Sequence, residues 1–301
     1  MCSVVVLLSS YNGARYINEQ LDSLLKQEGV DIKIIIRDDG SSDDTKELLS
    51  RIGDKRIECH FCENVGVRKS FLELLRLGKE AGDAKYFAFC DQDDVWLPDK
   101  LVTAVKALDA LDADLYYSSF TTVDSNLNVI QENVQHHSPD RLGAALVNLA
   151  VTGCTMVFSR RLLDAATEYT PARIMMHDSW LYKIALALDY TVVYDPVAHI
   201  YYRQHANNVI GDHNSIVKKW RNRYRRWFRD VTNDRYCEAE ELYKGYSPIM
   251  SQTQLSILSP VICYRDKSFL QRLKIAFNPA YKTGKIIVDI SFKLSILAKK
   301  Y

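Results

Sequence analysis

"YFAFCDQDDVWLPDK" (residues 86–100) begins as a core strand and ends in acid. Five apolar or aromatic positions, Tyr86 to Cys90, run straight into Asp91, Asp93 and Asp94. Such a run, with no polar alternation, suits a strand buried on both faces, as in a parallel sheet covered by helices. Like charges this close repel, and each raises the pKa of the next. The stretch therefore predicts a strand end where something positive gathers the carboxylates. The plainer alternative is a solvated turn into a helix at Pro98, since Pro favours the first helical turn; Asp99 belongs to that turn.

The same grammar precedes it three times. Val4 to Leu8, Ile32 to Ile36 and Ile57 to Phe61 are short apolar runs. Ile17, Leu21, Leu24 and Leu25, then Leu48, Leu49 and Ile52, then Phe71, Leu74 and Leu75, fall at helical spacing between them. Strands alternating with helical patterns predict an α/β fold with a mainly parallel sheet flanked by helices. Ligands bind such sheets beyond the carboxyl ends of the strands. The loops at those ends are "SSYNGARY", "RDDGSSDDT", "CENVGVRKS" and "CDQDDVW". Their convergence on one sheet edge says more than any one of them.

From about 115 to 215 the pattern is mixed. The uncharged run Leu142 to Ser159 approaches the length of a membrane span, but Asn148, Thr152, Gly153 and Thr155 interrupt it. It reads as a short buried helix, a turn at Thr152-Gly153 and a buried strand, so no integral membrane span is expected. A helix follows near "MHDSWLYKIALAL" and a strand pair around "YTVVYDPVAHIYYRQH". From 216 the chain turns basic, aromatic and helical.

Over 301 residues, 47% hydrophobic and 26% charged content is that of a globular protein, and a net charge of +1 gives no whole-chain field for nucleic acid. The basic charge is local: "KKWRNRYRRWFR" (218–229) carries seven of the 39 Lys and Arg. Seven scattered Cys and a start without the basic region of a signal peptide predict reduced thiols in a cytoplasmic setting. Cys59 and Cys62 make a C-x-x-C, but a lone pair is half a zinc site, and they read as a strand entering a loop.

The four loops offer distinct chemistry. Ser9 and Ser10 supply hydroxyls, and Tyr11 a flat face on which a base could stack; an ordinary strand-to-helix turn is the alternative. Asp38 or Asp39 could accept from a base N–H or a ribose hydroxyl. Gly40 lets the chain turn tightly, and Ser41, Ser42 and Asp43 read as helix N-caps, with Asp43 and Asp44 capping rather than functional. Asn64 and Gly66 suit a turn; Arg68 and Lys69 open a helix whose N-terminus would attract phosphate. In an extended stretch Asp91 and Asp93 face one side, and such oxygens suit Mg²⁺ or Mn²⁺ shared with a substrate phosphate. Asp178, in "MMHDSWL", sits among apolar neighbours, where burial would raise it toward general-base values; a helix cap is the alternative. Arg203, His205 and two Asn in "YRQHANNVIG" are polar groups within reach of phosphates or a metal.

Together "SSYNG…DDGSSDDT…NVG…SF…DQDD…GCTMVF…HD-x-W…YRQH-x-NN" resembles the family 2 glycosyltransferases with the GT-A fold, over roughly residues 1–212. The D-Q-D-D form, "HDSW" and "YRQHANNVIG" look most like the rhamnosyltransferase-type branch. The resemblance implies a catalytic part at 1–215, divided into a nucleotide-sugar half (1–115) and an acceptor half (116–215), before a basic amphipathic helical region at 216–301. It implies that Ser10, Tyr11, Asp38 or Asp39, Asn64, Arg68, Lys69, Asp91, Gln92 and His205 hold a dTDP- or UDP-sugar. Mn²⁺ or Mg²⁺ would sit at Asp91 and Asp93, with Asp93 favoured as the direct ligand and His205 assisting. Asp178 would be the base that deprotonates an acceptor hydroxyl, with inversion at the anomeric carbon. The Q-x-x-R-W motif of the family's processive synthases is missing, which implies one transfer per encounter.

The interleaved Trp220, Tyr224, Trp227 and Phe228 suit nucleic acid or an anionic membrane. The tail favours the membrane: Ile286, Ile290, Leu294 and Leu297 line one helical face, near Lys285, Lys293, Lys299 and Lys300. The expectation is a peripheral enzyme of surface-polysaccharide synthesis at the inner face of the cell membrane, with a glycan or lipid-linked glycan acceptor and no nucleic-acid partner. Packing of these helices on the catalytic part or another subunit is the alternative. Two other readings compete. A nucleotidyltransferase would need a glycine-rich triphosphate loop near residue 10, where "SSYNGARY" has one Gly and one Arg. A non-catalytic sugar-binding or membrane-docking protein would find Asp178 dispensable.

Overall fold

The computed structural model describes residues 2–134, 138–204 and 234–301. The first half contains β1 (Cys2–Ser10), α1 (Ile17–Leu25), β2 (Val30–Asp38), α2 (Thr45–Ser50), β3 (Ile57–Phe61), α3 (Val67–Glu80) and β4 (Tyr86–Cys90). β1 pairs in parallel with β2 and β4, and β2 with β3. Val4, Val6, Leu8, Ile34 and Ile36 enter one core, while Val5, Leu7 and Ile35 enter another on the opposite face. This is the two-residue period of a pleated strand, and burial on both faces is why the runs are apolar throughout. Because the four strands point the same way, their following loops share one edge, and the site forms there.

The second half adds β5 (Val95–Trp96), α4 (Lys100–Leu111), β6 (Leu115–Val123), β7 (Val129–Val134), α5 (Leu142–Val147), β8 (Val157–Ser159), α6 (Arg160–Glu168), α7 (His177–Ala187) and β9 (Val192–Arg203). The sheet runs β3-β2-β1-β4-β8-β6-β9-β5, with β7 on β6. The uncharged run over 142–159 divides as expected into helix, turn and strand, with a 3-10 turn at Gly153–Thr155. β8 lies antiparallel between β4 and β6 and makes the sheet mixed.

Three local expectations are corrected. The strand pair near 190–205 is one strand, β9, parallel to β6. Its register breaks between Ser118↔Asp195 and Ser119↔Ala198, so Pro196 and Val197 pass without partners; a proline without an N–H produces a bulge here rather than a turn. α4 begins at Lys100, two residues past Pro98, and the Asp99 carboxylate meets His199 Nδ1 at 3.1 Å instead of capping. Ser41, Ser42 and Asp43 do not cap α2, whose N-cap position is Asp44 with no side-chain bond. Ser41 Oγ and Asp43 Oδ2 instead accept from the backbone N–H groups of Asn12 and Ala14, at 2.9 and 3.2 Å. They tie the second loop to the first.

The C-terminal helices are α8 (Asp234–Tyr246), α9 (Gln252–Ile262), α10 (Phe269–Ala276) and α11 (Ile286–Leu297). Leu242, Tyr246, Val261, Tyr264 and Ile296 enter the same core as Leu146, Trp180 and Ile184. The region thus stabilises the base-bearing half of the fold. Ile286, Ile290 and Leu294 nevertheless face outward, and Leu297 packs against the core. Among the described residues no helix is long and apolar enough to cross a membrane. The 218–229 stretch lies outside the described residues.

Candidate active site

A cavity of about 760 Å³ opens at the carboxyl edge of β1, β2 and β4. Tyr11, Asp39, Asn64, Asp91, Gln92, Asp93 and Asp178 all line it. Ser10, Asp38, Arg68 and Lys69 do not, and His205 lies outside the described residues.

Adjacent aspartates at the end of β2 are separated by the strand's pleat and turn. Asp38 is buried beneath the loop, where its Oδ2 accepts from Ser10 Oγ at 3.1 Å and its Oδ1 from the Ser41 N–H at 3.0 Å. Asp39 reaches the cavity wall, ion-paired with Arg37 and accepting from the Val65 and Gly66 N–H groups, each at 2.9 Å. Gly40 makes this crossing possible: its φ is +79°, and a Cβ there would stand 2.9 Å from the Asn64 nitrogen. Arg68 and Lys69 are exposed on the first turn of α3. Gln92 latches two loops: its Oε1 accepts from the Tyr11 N–H at 2.8 Å and its Nε2 donates to the Tyr11 carbonyl at 3.0 Å. Tyr11 is left with its ring exposed at the cavity mouth.

The acids after β4 sit where their charge is costly. Burial, then Asp93, then Asp178 raise the Asp91 pKa well above the carboxylate range. Burial, then Asp93 and Asp91, do the same to Asp94, which lies behind the cavity wall. Two positive groups support them. Arg203 donates its backbone N–H to Asp94 Oδ1 at 3.1 Å and its Nε to the Asp93 carbonyl at 2.8 Å, and it pairs with Glu19. Lys100 lies buried over the Trp96 ring, 3.4 Å from its centroid, and burial lowers its pKa to about 8. Sequence reasoning left Asp94 and Lys100 without a role and placed Arg203 only among groups near phosphate. The signal available was a charged residue inside an otherwise apolar stretch.

The residues fit a divalent ion. Ligand atoms of Asp91, Asp94 and Cys154 lie within 4.8 Å of one another, and buried Asp94 Oδ2 meets no nitrogen or oxygen donor. Burial pushes the Cys154 thiol up, so it stays protonated and leaves a hard oxygen set suited to Mg²⁺ or Mn²⁺.

Asp178 opens α7 on the opposite wall. Its carboxylate accepts from the Ser179 N–H at 2.6 Å. Burial raises its pKa to about 6, and the Ser179 and Gly153 backbone N–H groups hold it back from rising further. Beside it His177, unremarked in the sequence, is also buried and also lines the cavity.

A model of glycosyl transferase family 2 matches residues 5–171. The dTDP-rhamnosyl transferase RfbG of Shigella flexneri is 29% identical over 262 residues, covering 79% of this chain and 89% of its own. A UDP-Glc:α-D-GlcNAc-diphosphoundecaprenol β-1,3-glucosyltransferase of Escherichia coli, WfaP, is 30% identical over 121 residues, or 39% of this chain and 45% of its own. The crystal structure of S. aureus TarS with UDP-GlcNAc aligns with a TM-score of 0.57 at 17% identity, covering 99% of this chain and 91% of that one. The mannosyltransferase PcManGT of Pyrobaculum calidifontis, in complex with GDP-Man and Mn²⁺, aligns at 0.53 and 18% identity, covering 99% and 88%. With more than half of its length matched by one family model and its sheet shared with these transferases, the chain belongs to glycosyl transferase family 2 and has the GT-A fold.

Proposed function

We propose that this glycosyltransferase inverts the anomeric centre of a nucleotide-diphosphate sugar, with dTDP-L-rhamnose the favoured donor, and transfers it to a hydroxyl of a surface-polysaccharide or lipid-linked glycan. The observation that carries the reading is a buried carboxyl, Asp178, raised to about 6, across one cavity from the acids at the end of β4. Tyr11 offers its ring to the base, and Asp39 and Asn64 line the wall beside it. Asp178 takes the proton of the acceptor hydroxyl, whose oxygen attacks the anomeric carbon as the bond to the diphosphate breaks. Attack from the face opposite the leaving group inverts the centre, so one base suffices and no enzyme nucleophile is needed. Asp91, with Asp93 or Asp94, would hold Mg²⁺ or Mn²⁺, whose chemistry when bound is to neutralise the departing diphosphate.

The test is a donor screen. The full chain, polyprenyl-linked glycan, and dTDP-L-rhamnose, UDP-glucose or GDP-mannose are mixed with Mn²⁺ or Mg²⁺, and nucleoside diphosphate release is followed. Release should occur with one donor, stop in chelator and be lost in Asp93→Ala. Full turnover in chelator would remove the cation from the mechanism.

A lipid-linked acceptor would hold the enzyme peripherally at the cytoplasmic face of the membrane. α10, α11 and the turn between them expose Phe269, Leu270 (71%), Phe277, Ile286 (76%), Ile290 and Leu294. Residues 264–301 carry nine Lys and Arg against two Asp. Apolar residues among cations match an anionic lipid surface. The protein should sediment with phosphatidylglycerol vesicles and not with phosphatidylcholine. A Leu270→Ser/Ile286→Ser/Ile290→Ser variant should lose that binding with an unchanged melting temperature. Equal binding to both vesicles, or self-association through this face, would refute the docking.

A further inference from the structure

His177 precedes Asp178 at the start of α7, and it is only 4% exposed. Its imidazole stacks on Phe71 with centroids 3.7 Å apart and meets Phe89 edge-on at 4.9 Å. Gly153 closes on it from another side, since a Cβ there would stand 2.5 Å from Nε2. The ring is therefore held in one orientation by two aromatic residues and a backbone. Yet neither of its nitrogens has a hydrogen-bond partner among the described residues. A neutral imidazole carries one donor and one acceptor, and leaving either unmet at this depth is costly. Buried polar groups without partners call for an explanation, and this one lines the cavity beside Asp91 and Asp178.

We infer that His177 is a specificity-determining residue whose imidazole hydrogen-bonds a hydroxyl of the donor sugar. The inference rests on the reading of this cavity as the site of sugar transfer. Three observations select a sugar hydroxyl. Burial keeps the ring neutral, with a pKa lowered to about 3, so it is neither a rival base to Asp178 nor a cationic clamp for phosphate. A hydroxyl is donor and acceptor at once, so it satisfies either imidazole tautomer. Phe89 stands two residues before Asp91 on β4, so the ring lies against the wall that leads to the proposed diphosphate site. The sugar attached to that diphosphate has to occupy this end of the cavity, while an inverting acceptor arrives from the other. A pre-oriented hydrogen-bonding group of this kind discriminates strongly against a sugar that lacks the matching hydroxyl, because its own polar atoms are then left unpaired.

The test measures binding of dTDP and of dTDP-L-rhamnose, with Mg²⁺, to the full wild-type chain and to His177→Phe, His177→Asn and His177→Gln. UDP with UDP-glucose, and GDP with GDP-mannose, extend the series. Phe retains the ring stacking and removes both nitrogens. It should weaken the nucleotide sugar by roughly three- to tenfold, the range of one net hydrogen bond, and leave the nucleoside diphosphate unchanged. Asn places an amide near the Nδ1 position and Gln near Nε2, so one of the two should recover part of the loss and identify the nitrogen used. A monodeoxy donor missing the contacted hydroxyl should lose affinity for wild type and lose nothing further for His177→Phe. An unchanged ratio of sugar to diphosphate affinity in His177→Phe, or equal weakening of both, would overturn the inference while leaving the transfer site intact. A wild-type chain that binds none of these nucleotide sugars would overturn the reading of the cavity and this inference with it. If His177→Phe does not fold, the Gln and Asn variants give the same ratio.

Discussion

Asp178→Asn should retain donor binding and lose roughly 10²–10⁴-fold in turnover, the scale of a single general base. The amide keeps the shape of the carboxylate and can still accept from the Ser179 N–H, now 2.6 Å from Oδ1. It cannot take a proton. The wild-type rate should also depend on pH in a defined sense. The active form of the base is the carboxylate, and burial raises its pKa to about 6. Activity is therefore lost as the pH falls below about 6, is regained as the pH rises through that value, and is flat above it. The measurement is kcat/KM between pH 4.5 and 8 for both proteins, with donor affinity determined separately. Wild-type turnover in the Asn variant, or the same acid limb in its residual rate, would remove Asp178 from the role of base.

Glu238→Ala should be the most destabilising single change in the described part of the C-terminal region. Glu238 on α8 is fully buried and ion-paired with Lys183 on α7, itself 2% exposed. The same carboxylate accepts from the Met175 N–H at 3.0 Å and from Ser179 Oγ at 3.2 Å. Its removal strands the Lys183 ammonium in the core and frees the two ends of the segment that carries His177 and Asp178. Breaking a buried pair from one side costs about 3–5 kcal/mol, which for a chain of this size lowers the melting temperature by on the order of 10 °C. Lys183→Met with Glu238→Leu should recover much of the loss, because the cost lies in the uncompensated charge rather than in the volume removed. Thermal unfolding of the single and double variants checks this. A melting point for Glu238→Ala within a degree of wild type would show that α8 does not support the base helix.

This pair also explains a limit of the sequence. Glu238 and Lys183 are 55 residues apart, and each sits in a helical pattern where a charged residue reads as exposed. Neither residue betrays its burial without the other. Gln92 is a similar case. As part of D-Q-D-D it reads as a ligand of the donor, yet its amide is engaged with the Tyr11 backbone 81 residues away. Asp38 and Asp39 are alike in type and adjacent, so composition and spacing cannot separate them; the turn after β2 sends one under the loop and the other to the cavity wall. The serines of "SSDDT" have cap chemistry, but the groups they satisfy belong to the loop after β1.

Alone, the sequence determined the alternation of buried strands and helices, their common direction, the edge on which polar loops meet, and the chemistry of those loops. These follow from local periodicity and residue type, because burial on two faces writes itself into each strand separately. Only the tertiary structure decided which of two neighbouring carboxylates reaches the cavity, that Asp94 and Cys154 gather with Asp91, that β9 is one strand, and that His177 is held without a partner. Those outcomes depend on contacts between residues far apart in the chain, and the free energy of a buried polar group is set by what surrounds it rather than by its own neighbours in sequence.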